Sequence, residues 1–213
     1  MEKRDKTKLW IFIILRLQII IAGLIAILDR NWTYLGMSIL TFMVMLLPSI
    51  IDKRLNLDIS SKFEIVLVAF IYASLFLGEM HRFYDKFWWW DKMLHGFSGL
   101  IIGNIGLIII SYLNSNSKIN MNLSPFFVSF FVFCFSLSIG AIWEIYEYAM
   151  DKFFGFFMQR GSLDDTMIDI ILDAAGALIF SIIGYFQQKG KIDLKNFFAI
   201  SLNREDNMEN EAI

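Results

Sequence analysis

Long apolar runs alternate with short polar stretches along the chain, and six runs are long enough to cross about 30 Å of hydrocarbon as α-helices. They predict spans at about 10–28, 32–51, 63–78, 92–112, 125–148 and 167–186. Between them lie DRN, DKRLNLDISSK, the segment around HRFYDKF, NSNSKINMNLS and DKFFGFFMQRGSLDD. The expected fold class is therefore all-α, a polytopic membrane bundle of about six transmembrane helices. Residues 1–190 form a single transmembrane domain in this reading, and 191–213 form a polar cytoplasmic tail. Pro125 opens a span, where its missing N–H costs little, and Pro48 sits near the end of another. No interrupted span is expected. The first apolar stretch is too long for a signal peptide, contains Arg16 and is followed by no small-x-small site. The expectation is a retained first helix and no cleaved signal peptide.

Composition agrees with this pattern. Of the 213 residues, 57% are hydrophobic, above the roughly 45–50% of soluble domains. A net charge of −2 without a basic stripe gives no footprint for nucleic acid, so the lipid bilayer is the expected partner. Cys134 is the only cysteine, which excludes an intrachain disulfide or a thiolate metal site. Outside the spans, twelve Lys and Arg residues fall on one side and six on the other. The richer side holds both ends of the chain, so both termini are expected in the cytoplasm.

That topology gathers polar residues which are scattered in sequence. The third and fifth spans end on the outer side, where the fourth and sixth begin. Glu79, His81, Arg82, Asp85, Asp91, His95, Glu144, Glu147, Asp151, Asp164, Asp165, Asp169 and Asp173 all lie at those four ends. The opposite ends carry nothing comparable. Asp91 and His95 are four apart and share a face that continues through Gly99, Gly103 and Gly106. Ser136, Gly140, Glu144, Glu147 and Asp151 form a second stripe, and Asp165, Asp169, Asp173, Gly176 and Gly184 a third. Small residues such as Gly99, Gly103 and Gly176 let helices approach closely in lipid. Asp173 lies about 12 Å deeper than Asp165 at 1.5 Å per residue. An Asp there is too short to snorkel and must be protonated, paired, hydrogen-bonded or bound to a cation. Trp88, Trp89 and Trp90 read as an interfacial aromatic belt.

The words GEMHRFYDKFWWWDKMLHGFSG and AIWEIYEYAMDKFFGFFMQRGSLDDTMIDIILDAAGALI resemble the YjdF-type bacterial inner-membrane proteins. The resemblance covers most of Phe63–Gly184; the first two spans lie outside it. More distantly the chain is similar to VanZ-like membrane proteins, associated with glycopeptide-antibiotic resistance. The shared skeleton falls on Asp91, His95, Glu144, Asp169 and Gly176. The resemblance implies a multi-pass protein of the bacterial inner membrane and no particular reaction.

Three functional readings follow. In the first, His95, Glu144, Glu147, Asp169 and Asp173 hold a divalent cation, for which one imidazole among carboxylates suits Mn, Mg or Zn. His95, Glu144, Asp169 and Asp173 are then the candidate catalytic residues for a lipid or cell-envelope substrate. Arg82, Gln159 and Arg160 are its candidate contacts. In the second, the same acids relay protons or ions for a transporter, although the inner halves of the stripes are small and apolar. In the third they have a structural role only, capping helices and pairing with Arg82, Lys92, Lys152 and Arg160. Asp91, Asp164 and Asp165 are the best cap candidates.

Overall fold

A computed structural model describes residues 3–55, 59–115, 123–159 and 162–191. Helices α1 (Lys3–Leu28), α2 (Trp32–Val44), α3 (Leu47–Leu55) and α4 (Ser61–Ile71) come first; α4 continues as a π-helical segment, Tyr72–Met80. They are followed by α5 (Phe83–Lys86), α6 (Trp90–Ser115), α7 (Pro125–Phe154) and α8 (Leu163–Gln188). Six stretches are long and apolar enough to cross a membrane: Lys6–Leu28, Trp32–Arg54, Ser61–Met80, Trp90–Ser111, Pro125–Phe154 and Leu163–Gln188. Large apolar side chains such as Trp10, Leu28, Trp32, Ile145 and Phe153 are exposed, as lipid-facing surface requires.

Local chemistry sets the helix ends. Asn31, Ser60, Ser124 and Ser162 each accept a hydrogen bond from the backbone N–H three residues on, which satisfies an orphan first-turn donor. Gly155, at φ 71°, closes α7 in the left-handed conformation that costs glycine least. Two helix starts, those of α8 and α6, correct the cap assignments made from sequence. Ser162 caps α8, leaving Asp164 and Asp165 as first-turn acids, and Asp91 likewise lies within the first turn of α6.

The chain divides into two compact units, one running through Phe87 and the other starting at Trp88. In the first, Phe12, Ile19, Met45, Val68, Phe76 and Met80 form the core. The second span is interrupted here, contrary to expectation. Helix α2 stops at Val44 and α3 starts at Leu47 because Pro48 has no N–H and its ring displaces the carbonyl four residues back, that of Val44. The Met45 carbonyl accepts from Arg16 Nη2 at 3.1 Å, which supplies the partner that Arg16 lacks in the sequence. The other ends of these spans are not empty either. Glu64, 1% exposed, pairs with Lys8 and accepts from the Ser49 hydroxyl.

In the second unit α6, α7 and α8 pack against one another through their stripes of small residues. A Cβ on Gly99 would lie 2.5 Å from the Asp173 carbonyl and 3.1 Å from Gly176 Cα. A Cβ on Gly103 would lie 3.0 Å from Phe180 Cβ. The Ser136 hydroxyl, from α7, donates to the Gly99 carbonyl at 2.8 Å. In lipid, where association lacks a hydrophobic drive, such approach and hydrogen bonding hold helices together.

Candidate functional site

The close contact of α6 with α8 fixes where their polar residues meet. His95 is 6% exposed, and its two ring nitrogens face different groups. Nδ1 lies 3.0 Å from Asp173 Oδ2. The other Asp173 oxygen accepts from the Ser98 hydroxyl at 2.6 Å. A Cβ on Gly140 of α7 would lie 2.5 Å from Asp173 Oδ2, so that carboxylate rests directly on the α7 backbone. Asp173 is thus held from three sides, by His95, Ser98 and Gly140, and this answers how an Asp persists at such depth.

The opposite edge of the imidazole faces other acids. Nε2 lies 3.6 Å from Glu144 Oε1 and 3.8 Å from Asp91 Oδ1. Neither carboxylate oxygen of Glu144 makes a hydrogen bond, although the residue is 3% exposed. The Thr166 hydroxyl lies beside it and accepts from Gln159 Nε2 at 2.9 Å. Asp169, 2% exposed, has an Oδ1 without a hydrogen-bond partner. Glu147 accepts from the Trp143 indole at 2.8 Å. One ligand atom each from Asp91, His95 and Asp169 lie within 4.8 Å of one another, and so do those from His95, Glu144 and Glu147.

At the outer edge Lys92 Nζ meets Asp165 Oδ1 at 3.0 Å, with the two side chains 20% and 12% exposed. Asp151 does not join the cluster. Its oxygens accept from the backbone N–H of Met158 at 2.6 Å and of Gln159 at 3.0 Å, folding residues 155–159 back onto the end of α7. Gln159 is thereby aimed at the first turn of α8.

Of the residues singled out in sequence, the structure brings together His95, Glu144, Glu147, Asp169 and Asp173, with Asp91 added. Gly99, Gly103 and Gly176 all sit at close helix contacts. Arg82 belongs to the first unit, where it takes φ 58° and pairs with Asp85 at 2.8 Å. Arg160 lies outside the described residues. Sequence reasoning passed over Ser98, Trp143 and Thr166. Ser98 stands three residues after His95, whose carbonyl its hydroxyl reaches at 2.8 Å, and Trp143 four before Glu147, so helical spacing would have given those two contacts, though not that of Ser98 with Asp173.

These features define a class: a polytopic membrane protein whose last three spans enclose buried carboxylates around one histidine. The chain belongs to the family described as predicted membrane protein (DUF2238), which matches residues 7–190. An uncharacterized protein of Thermotoga maritima is 26% identical over 145 residues, covering 68% of this chain and 72% of that relative. No solved structure matches.

Proposed function

We propose that the second unit binds a divalent cation, Mn, Mg or Zn, between His95 Nε2 and the carboxylates facing it, and uses it on a lipid or cell-envelope substrate. The observation that carries this reading is Glu144, 3% exposed, with the Thr166 hydroxyl beside it but neither oxygen in full hydrogen-bond geometry, and 3.6 Å from a histidine nitrogen. A buried carboxylate left short of hydrogen bonds costs about 1–3 kcal/mol or more, and a cation at Nε2 offsets that cost. The spacing supports the reading. Ligands about 2.1 Å from one ion lie roughly 3.0–4.2 Å apart, a range that holds both Nε2 distances. Glu144, Glu147, Asp91 and Asp169 supply oxygens, and one imidazole suits these hard to borderline ions. Asp173 takes a different part from the others, since it engages Nδ1 and so orients the imidazole from behind, as metal-bound histidines require. Such a cation supplies charge to polarise a phosphoryl oxygen or acidify water.

Proton relay is the less favoured alternative. Below Asp173, the inner halves of α6, α7 and α8 contain no carboxylate or histidine. The hydroxyls of Ser129 and Ser136 there are spent on backbone carbonyls. In this proposal the protein is of the YjdF type and resides in the bacterial inner membrane with both termini cytoplasmic, so the cluster faces outward.

Metal analysis tests the reading. Purified protein stripped with chelator and dialysed against Mn²⁺, Mg²⁺ or Zn²⁺ should retain about one ion per chain for at least one of them. Glu144→Gln and His95→Ala should lower the affinity more than tenfold while keeping the helical circular dichroism. Absence of stoichiometric ion with all three metals would sink the proposal, as would unchanged affinity in Glu144→Gln.

A further inference from the structure

The edge of the cluster carries one cationic group, Lys92, and one amide donor, Gln159, and the proposed cation site uses neither. Lys92 contacts Asp165 at 3.0 Å, and Gln159 contacts Thr166, the next residue, at 2.9 Å. Both therefore reach the same first turn of α8, a helix of 26 residues capped by Ser162, whose N-terminal dipole favours anions. Lys92 follows Asp91 directly and retains 20% exposure, so its ammonium has room to leave Asp165. Gln159 uses one amide N–H on Thr166 and has a second to offer. Five carboxylates around one imidazole repel any anion, whereas a bound cation makes an anion at this edge favourable.

We infer that the edge between α6 and α8 binds a phosphate group that bridges the cation and Lys92. Asp165 is the resident counter-ion of Lys92, and the incoming phosphate takes its place. This rests on the cation reading above and names the ligand class it acts on. The phosphate can belong to a lipid headgroup in the outer leaflet or be free in solution. The ammonium supplies a point charge, and Gln159 adds one directional hydrogen bond.

Manganese allows a direct test, because phosphorus in the shell of bound Mn²⁺ gives a ³¹P coupling in electron–nuclear double resonance. Mn²⁺-loaded protein in phosphate-free maltoside detergent would be titrated with inorganic phosphate, or with phosphatidic acid in mixed micelles. A ³¹P coupling with phosphatidic acid alone assigns a lipid headgroup; coupling with inorganic phosphate alone assigns free phosphate; coupling with both supports the shared chemistry. Lys92→Met should weaken phosphate binding at least tenfold with Mn²⁺ still bound, and that retained Mn²⁺ shows the fold is intact. Asp165→Asn should tighten it severalfold, an effect that a merely structural ion pair would not give. Mn²⁺ bound without ³¹P coupling overturns this inference and leaves the cation site standing. So does phosphate affinity unchanged in both variants. Failure of Mn²⁺ to bind removes the cation reading and this inference together.

Discussion

The chemistry of the cluster turns on which nitrogen of His95 each acid meets. Asp173 takes Nδ1, leaving Nε2 for Glu144 and Asp91. Asp173 therefore acts through His95. Asp173→Asn should lower metal affinity about 10–100-fold, the usual cost of losing such an orienting partner, while Glu144→Gln removes a ligand outright. Gly140→Ala should resemble Asp173→Asn, because its methyl would sit 2.5 Å from Asp173 Oδ2 and push that carboxylate off the imidazole. Isothermal titration with Mn²⁺ checks both; unchanged affinity in Gly140→Ala would show that Asp173 does not position His95. Little of this division was legible in the sequence. Helical spacing puts Asp169 and Asp173 on one stripe with equal claim, and only the approach of α8 to α6 assigns them different places. The caps were misread for a different reason. Asp164 and Asp165 are ordinary cap residues, but the order SLDD is itself the Ser-x-x-Asp capping-box pattern, a signal for the serine that sequence reasoning passed over.

At the scale of elements, the stripes themselves could be read directly. Small residues and acids recur every three or four positions in three spans, and these are the faces that meet. Gly176 marks the tightest of those contacts, where an added Cβ would lie 3.0 Å from Leu100 N and 3.1 Å from Gly99 Cα. Both are backbone atoms and cannot swing aside. Gly176→Ala should therefore destabilise the α6–α8 pair by about 1–3 kcal/mol, seen as a lower unfolding midpoint in detergent; a neutral result would mean the helices are looser than described. The broken second span was less legible. Pro48 was visible in the sequence, but its position near a span end suggested a harmless terminus. What decides the break is the carbonyl of Val44, four residues earlier, together with Arg16 from another helix. Arg16→Leu leaves the Met45 carbonyl without its donor and should cost about 1–3 kcal/mol, again read from the unfolding midpoint. The Lys8–Ser49–Glu64 group was hidden because each member sits at the edge of a span, where an isolated charge looks like ordinary interfacial surface.

At the scale of the whole molecule, the account depends on sidedness. In the proposed orientation, drawn from the excess of Lys and Arg in alternate connections, the starts of α6 and α8 lie outside. The cluster near them then reaches substrates of the outer leaflet or the envelope. A Cys134→Ser background carrying Leu163→Cys or Lys189→Cys tests this, since both positions are exposed at opposite ends of α8. An impermeant maleimide should label Leu163→Cys in intact spheroplasts, and Lys189→Cys only after permeabilisation. The reverse pattern would turn the site towards the cytoplasm. The most direct measurement of the central claim is anomalous diffraction at the manganese edge from crystals grown with Mn²⁺. The account predicts one peak about 2.0–2.3 Å from His95 Nε2 and from a Glu144 oxygen, with Asp173 still on Nδ1. A map without that peak, in which Glu144 hydrogen-bonds to Thr166 instead, would contradict it.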